Sequence, residues 1–365
     1  MSRNRARIAG LSLALVLFLF SVAPVGAQTV VRYGAEFLAG GVGGRALGMG
    51  GAHVGLAQDV SAGYWNPAGL ARITHSEVGY MHAERFAGIV SFDYAGGVFP
   101  LNDRSTVGIS FFRSGVNDIK NTLDAWDSER DRPKSDPGSH ITTFSAADYA
   151  FFFSYGRRVN EAFSAGVTAK VIRRNIGHFA SAWGYSFDVA VQYTVGGFTA
   201  GATLQDASTM LQTWSVNQDA LRPIEEDFGE VMPEGGTELV LPLMRLGAGY
   251  TIPMGMHAVT VAADVDLAFD GQKTYAANMG EVSFHPRLGA EYVYRNLIAL
   301  RAGINRLATD GRGGADIVPT VGAGLILDRI SIDYGFGDFA GIPSELGFSH
   351  RIAASMRFGT PIAQR

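Results

Sequence analysis

From Tyr185 to Thr194 the chain alternates residue by residue. Tyr185, Phe187, Val189, Val191 and Tyr193 are apolar, while Ser186, Asp188, Gln192 and Thr194 stand between them. In an extended strand successive side chains point to opposite faces, so a period of two makes one face apolar and the other wet. The same split separates Phe163, Ala165, Val167, Ala169 and Val171 from Ser164, Gly166, Thr168 and Lys170. It returns in Val259, Val261, Ala263, Val265 and Leu267 against Thr260, Asp264 and Asp266. Segments of this kind dominate after residue 75, and helical periodicity is nearly absent.

Two architectures use such strands. A soluble sandwich hides the apolar face in its core; a transmembrane barrel turns it to lipid and keeps the polar face in the lumen. Connection lengths separate them. Tight breaks fall at Asn102-Asp103, Asn160-Glu161, Gly196-Gly197, Met254-Gly255, Asn296 and Asp328-Arg329. Between them lie longer connections, the longest from about Val116 to Thr143 and from about Asp206 to Glu238, the latter acidic and read as a solvated loop. Short turns alternating with long ones fit an outer-membrane barrel, and about 14 segments, an even number, put both ends on the periplasmic side. The expected fold is an all-β, 14-stranded antiparallel transmembrane β-barrel with an N-terminal hatch. Tyr80, Tyr94, Phe99, Phe111, Phe112, Phe151 to Phe153, Tyr155, Tyr250, Tyr292, Tyr294 and Phe358 are expected to form aromatic girdles at the lipid interfaces.

The N-terminus agrees with export. Arg3, Arg5 and Arg7 precede an apolar run from Leu11 to Phe20, and Val25-Gly26-Ala27 offers small residues for cleavage. A membrane anchor would need roughly 18 or more apolar residues, and Ser12, Ser21 and Pro24 leave the run short. Residues 1–27 therefore read as a signal peptide cleaved near Ala27, 28–75 as a hatch, and 76–360 as the barrel, integral to the outer membrane. A net charge of -4 argues against a nucleic-acid partner. The absence of cysteine excludes disulfides, a thiolate nucleophile and cysteine-based metal sites.

Turn positions also set which residues face each other. Met254-Gly255 taken as a two-residue loop places Arg245 opposite Asp264. Gly196-Gly197 places Asp188 opposite Gln205, and a three-residue turn centred on Asn296 places Glu291 opposite Arg301. Arg245, Asp264, Glu291 and Arg301 are thus expected as lumen-facing charges that brace the wall, where an unpaired charge is costly.

Residues 28 to 75 do not alternate. The stretch "GGAHVGLAQDVSAGYWNPAGLARI", 50 to 73, has Asp59 and Arg72 as its only charges. Its glycines permit tight turns and close approach to neighbouring backbone, and Asn66 before Pro67 signals a capped turn. No G-x-x-x-x-G-K occurs, so the glycines do not form a phosphate loop. Gly43 to Ala71 resembles the N-terminal signature of the PorV/PorQ group of outer-membrane proteins, related in architecture to the FadL fatty-acid transporters. Gly48, Gly50 and Gly51 match its Gly-rich lead and Asn66, Pro67 and Ala68 its Asn-Pro-Ala motif; Asp59 and Trp65 lie in the same stretch.

That resemblance implies a barrel that holds or shuttles cargo proteins of a type IX secretion system. The FadL likeness implies passive uptake of a hydrophobic compound, with Val54, Leu56, Val60 and Trp65 lining an apolar pocket. The expected partners are outer-membrane lipid together with secreted cargo and secretion components, or a hydrophobic small molecule. No H-E-x-x-H or G-x-S-x-G occurs and the eight histidines are scattered. The sequence therefore predicts no enzyme activity, metal or cofactor.

Overall fold

The structure, a computed structural model, describes residues 29–30, 36–85, 88–127, 130, 132–229, 231–269, 277–309, 315–337 and 349–361. The expected signal peptide and positions 28 and 31–35 of the expected hatch lie outside the described residues.

Fourteen antiparallel strands close into a barrel. They are β1 (Ser76–Arg85), β2 (Val90–Pro100), β3 (Ser105–Asn121), β4 (Thr142–Arg158), β5 (Phe163–Ile176), β6 (Ala180–Val195) and β7 (Phe198–Gln205). They continue as β8 (Leu243–Met254), β9 (His257–Ala268), β10 (Val282–Tyr294), β11 (Ile298–Thr309), β12 (Ala315–Ile326), β13 (Ile330–Gly337) and β14 (Ser349–Phe358). Each strand bonds to its sequence neighbours. β14 bonds back to β1 from Ser76↔Phe358 to Glu84↔His350, leaving the barrel no open edge among the described residues.

The alternation read along β6 is resolved by facing. Tyr185, Phe187, Val189 and Val191 are between 44% and 56% exposed on the outer wall, whereas Ser186, Asp188 and Gln192 are buried inside. Lipid, not a protein core, is the solvent for the apolar face. The same rule corrects the aromatic girdles. Tyr80, Phe99, Phe151, Phe153, Tyr155, Tyr250, Tyr292 and Phe358 are exposed outside, but Tyr94, Phe112 and Phe152 are buried in the lumen. Neighbours on one strand cannot share a face, so a consecutive Phe151-Phe152-Phe153 must divide between lipid and lumen.

One expected connection is also corrected. After a break at residues 206–209, β7 continues as Met210–Val216; a helix follows at Gln218–Phe228, and Thr237–Val240 leads into β8. Met210 and Gln212 point inward, fully buried. Their two-residue period was too short, beside so many acidic residues, to stand out in the sequence.

Residues 36–75 lie inside the barrel. They form α1 (Gly44–Gly48), α2 (Ala62–Trp65) and a 3-10 turn at Pro67–Arg72. Met49, Val54 and Leu70 are fully buried. The wall meets this segment with inward glycines, so backbone packs on backbone. Gly166 lies against Pro67 and Ala68, Gly201 against Asn66 and Val54, Gly303 against Met49 and Gly50, and Gly322 against Gly48. A Cβ on Gly156 would stand 2.6 Å from the Pro67 carbonyl oxygen and 2.8 Å from the Leu70 Cβ. Gly156→Ala should therefore lower stability by about 1–3 kcal/mol through overpacking. Gly236→Ala, where a Cβ would meet nothing, should not. The temperature at which the folded barrel loses its heat-modifiable gel mobility measures both; equal midpoints would refute the tight fit.

Candidate functional site

The interior segment is built around Asn66. Its backbone is extended (φ -158°) and caps the Pro67–Arg72 turn, with Oδ1 accepting from the Ala68 N–H at 3.1 Å. Its Nδ2 donates to the Val54 carbonyl at 3.1 Å and the Val191 carbonyl of β6 at 3.2 Å. One buried amide thus ties turn, preceding loop and wall together. Pro67 supplies the preset φ of the first turn residue, and Ala68 fits against Gly166. Trp65 donates its indole N–H to the Val42 carbonyl at 2.9 Å. Gly50 and Gly51 take φ of +67° and +78°, which a side chain would strain, while Gly48 lets β12 approach.

Asp59 accepts from the Ser61 N–H at 2.8 Å and its hydroxyl at 2.5 Å, and its other oxygen lies 3.6 Å from His53 Nε2. Burial raises its pKa, but hydrogen bonding and charge from His53, with Ser61 and Arg45, hold it well below the usual carboxylate range. The neighbouring Arg45 is raised chiefly by the charge of Glu291.

Wall charges grip this segment. Arg45 makes a two-pronged contact with Glu291, Nε at 2.9 Å and Nη2 at 2.8 Å. Glu291 also accepts from Arg301 at 2.6 Å, and Arg301 reaches Asp333 at 2.7 Å. Glu291 lies opposite Arg301 in the β10–β11 register. The expected Arg245–Asp264 pair is corrected: the β8–β9 loop is Gly255-Met256, so Arg245 faces Asp266 and Asp264 faces Gly247. Gly255 takes φ of +66° as the first central residue of the turn. A shift of two preserves facing but changes the partner. Asp266 receives Arg245 at 3.4 Å and Arg287 at 2.8 Å. Asp264 instead accepts the backbone N–H groups of His53 and Val54, at 2.7 and 2.8 Å.

β6 and β7 do turn over Gly196-Gly197, with Val195↔Phe198, but their ladder stops at Val189↔Leu204, one pair short of Asp188 and Gln205. Here the sequence missed a cluster. Lys170, Asp188 and Asp206 are buried together, with Lys170 Nζ 2.8 Å from Asp188 and 2.6 Å from Asp206. Lys170 on the wet face of β5 was the available signal; Asp206 was hidden in a stretch that reads as loop.

Towards the end with long connections the lumen is apolar on one side. Met81, Phe92, Phe112, Phe152, Ile172, Met210 and Val240 form one buried cluster with Leu38, Tyr64 and Trp65, and Phe37 packs on it. Phe37 also lies beneath Arg174, 5.8 Å from its ring centre. Val54 is fully buried in this same cluster and Val60 packs against it, whereas Leu56 lies in a separate cluster with Met49, Ala52 and Ala262. Leu56 also meets the wall at Gly249, and Val60 at Gly79 and Gly96. Of the residues expected to line a pocket, Val54, Val60 and Trp65 thus share the apolar cluster, with the Arg245 guanidinium 5.3 Å from the Trp65 ring.

These features define a transmembrane-type β-barrel whose lumen is occupied by its own N-terminal segment. No protein-family model and no curated protein sequence matches the chain. Among solved structures it resembles the Pseudomonas putida toluene transporter TodX, at 13% identity over 88% of this chain and all of that one, with a TM-score of 0.54. The Ralstonia pickettii toluene transporter TbuX matches at 12% over 88% of this chain and 100% of that one, TM-score 0.52. The CymD monoaromatic hydrocarbon channel matches at 12% over 91% and 100%, TM-score 0.52. The fold is therefore shared with these channels.

Asn66→Ala combined with Pro67→Ala removes the cap, the Val54 and Val191 bonds and the preset turn. It should raise the permeability of cells to small antibiotics, read as a lowered inhibitory concentration at equal surface abundance. Unchanged sensitivity would show that the segment stays seated without its motif.

Proposed function

We propose that the protein is a non-enzymatic outer-membrane channel for passive uptake of hydrophobic small molecules. The observation that carries this reading is the apolar cluster inside the barrel. A water-filled barrel is polar inside; here inward Phe, Met, Ile and Val of the wall pack with Leu38, Tyr64 and Trp65 of the charge-gripped N-terminal segment. Such a lining is of use to a guest that leaves water gladly. The straight route is filled by the hatch, whose described residues 36–75 pack against the wall, backbone to backbone where wall glycines face them. In this reading the wall break at 206–209 is where a guest would pass sideways from the apolar cluster to lipid, which is where a hydrophobic molecule gains most. The shared fold with channels described as transporting toluene and monoaromatic hydrocarbons supports the same class of guest.

This reading takes precedence over the secretion-shuttle role implied by the PorV/PorQ resemblance. That resemblance covers Gly43 to Ala71, and those residues are engaged in seating the plug rather than presenting a surface to cargo. Lipid is the partner of the exposed outer band.

Cells bearing the protein should take up labelled toluene several-fold faster than cells lacking it. Phe112→Glu, which buries an unpaired carboxylate in the apolar cluster, should slow uptake about tenfold, equivalent to about 1.4 kcal/mol, while gel mobility reports an intact barrel. Uptake equal to that of cells without the protein would sink the reading. Secreted proteins recovered with the gently extracted barrel, in place of apolar small molecules, would restore the shuttle.

A further inference from the structure

The break in the wall is closed by buried charge where strand hydrogen bonds are missing. β6 pairs with β7 up to Val189↔Leu204 and resumes with the continuation at Tyr185↔Leu211. Residues 186–188 fall between the two ladders, crossed by the Ala207 N–H donating to the Phe187 carbonyl at 2.8 Å. On the other side, β7–β8 pairing ends at Gln205↔Leu243 and resumes at Met210↔Val240. The break is also strained. Asp206 and Thr209 take φ of +53° and +59°, a region that a β-branched residue such as Thr rarely adopts.

Into this gap point Lys170 from β5, Asp188 and Ser186 from β6, and Asp206 from the break itself. Besides the two Lys170 contacts, Ser186 Oγ donates to Asp206 Oδ1 at 2.6 Å and the Asp206 N–H donates to Asp188 Oδ1 at 2.8 Å. The Lys170 side chain is 3% exposed and that of Asp188 is 1%. Three charges this deep are stable together and costly apart: without the lysine, two carboxylates would be left side by side. Arg45–Glu291 and the Asp264 contacts end on the plug. The Lys170 contacts end on the break.

We infer that Lys170, Asp188 and Asp206 form a clasp that sets the width of the seam between the apolar cluster in the lumen and lipid. Met210, fully buried in the apolar cluster, sits just beyond the clasp on the lumen side, and Phe187 lies on the lipid face across the gap. What passes the seam rests on the uptake reading; the clasp does not.

The chain has no cysteine, so a thiol can be placed at will. Met210→Cys reports the seam, and Met81→Cys, also buried in the apolar cluster but on β1, controls for general loosening. Each is reconstituted in liposomes with pyrene maleimide dissolved in the lipid. Lys170→Met should raise the labelling rate of the Met210→Cys thiol at least about tenfold and leave that of Met81→Cys unchanged. Lys170→Arg, which keeps the cation, should change neither. If Lys170→Met does not fold, Lys170→Met with Asp188→Asn and Asp206→Asn removes the ionic links without stranding a charge, and the same selective rise is expected. Equal rises at both thiols, or none at Met210→Cys, would overturn the clasp. A selective rise with unchanged toluene uptake supports the clasp and counts against the uptake reading.

Discussion

Lipid offers no partner to a backbone N–H or C=O, and that constraint governs this molecule. An open sheet would strand a row of polar groups at each edge at a cost of several kcal/mol apiece. Pairing β14 with β1 leaves the barrel no such edge among the described residues. Closure in turn creates a lumen, and a lumen bounded by 14 strands is too wide for side chains of the wall alone to fill. The N-terminal segment fills it, and the features that follow are consequences of making that filling tight.

Tightness is obtained in two ways. Where the segment runs against the wall, glycine on the strand lets the two backbones touch, as at Gly166 and Pro67 or Gly303 and Gly50. Where it turns, buried charge reaches out from the strands: Glu291 to Arg45, and Asp264 to the N–H groups of His53 and Val54. Breaking one of these contacts leaves an unsatisfied partner in a dry interior, which costs more than the contact contributes when intact. The plug is therefore held fixed, with apolar side chains of the wall packed on it. Both the uptake reading and the clasp grow from the contrast between that fixed plug and the strained wall at Asp206 and Thr209.

Much of the site was legible, and the limits were physical. Asn66-Pro67 announces a capped turn because an amide before proline can do little else so economically. The two bonds that carry Asn66 to Val54 and Val191 are invisible in sequence, since they span the lumen. Glu291 and Arg301 face each other because a three-residue turn fixes them locally. Arg245 was given the wrong acid because Gly255, not Met254, begins the two-residue loop, and a two-residue slip leaves no trace in the alternation.

The sequence by itself determined the class of wall: alternation, segment length and turn rhythm are properties of one strand at a time, and together they fix which face meets lipid. Tertiary structure alone decided what the inward faces touch. Phe112 became part of the apolar cluster, Gly156 a seat for Pro67, Asp264 an acceptor for the plug, and Asp206 a partner for Lys170. Each outcome depends on contacts between segments far apart in the chain, and parity along a strand carries no information about what lies across the lumen.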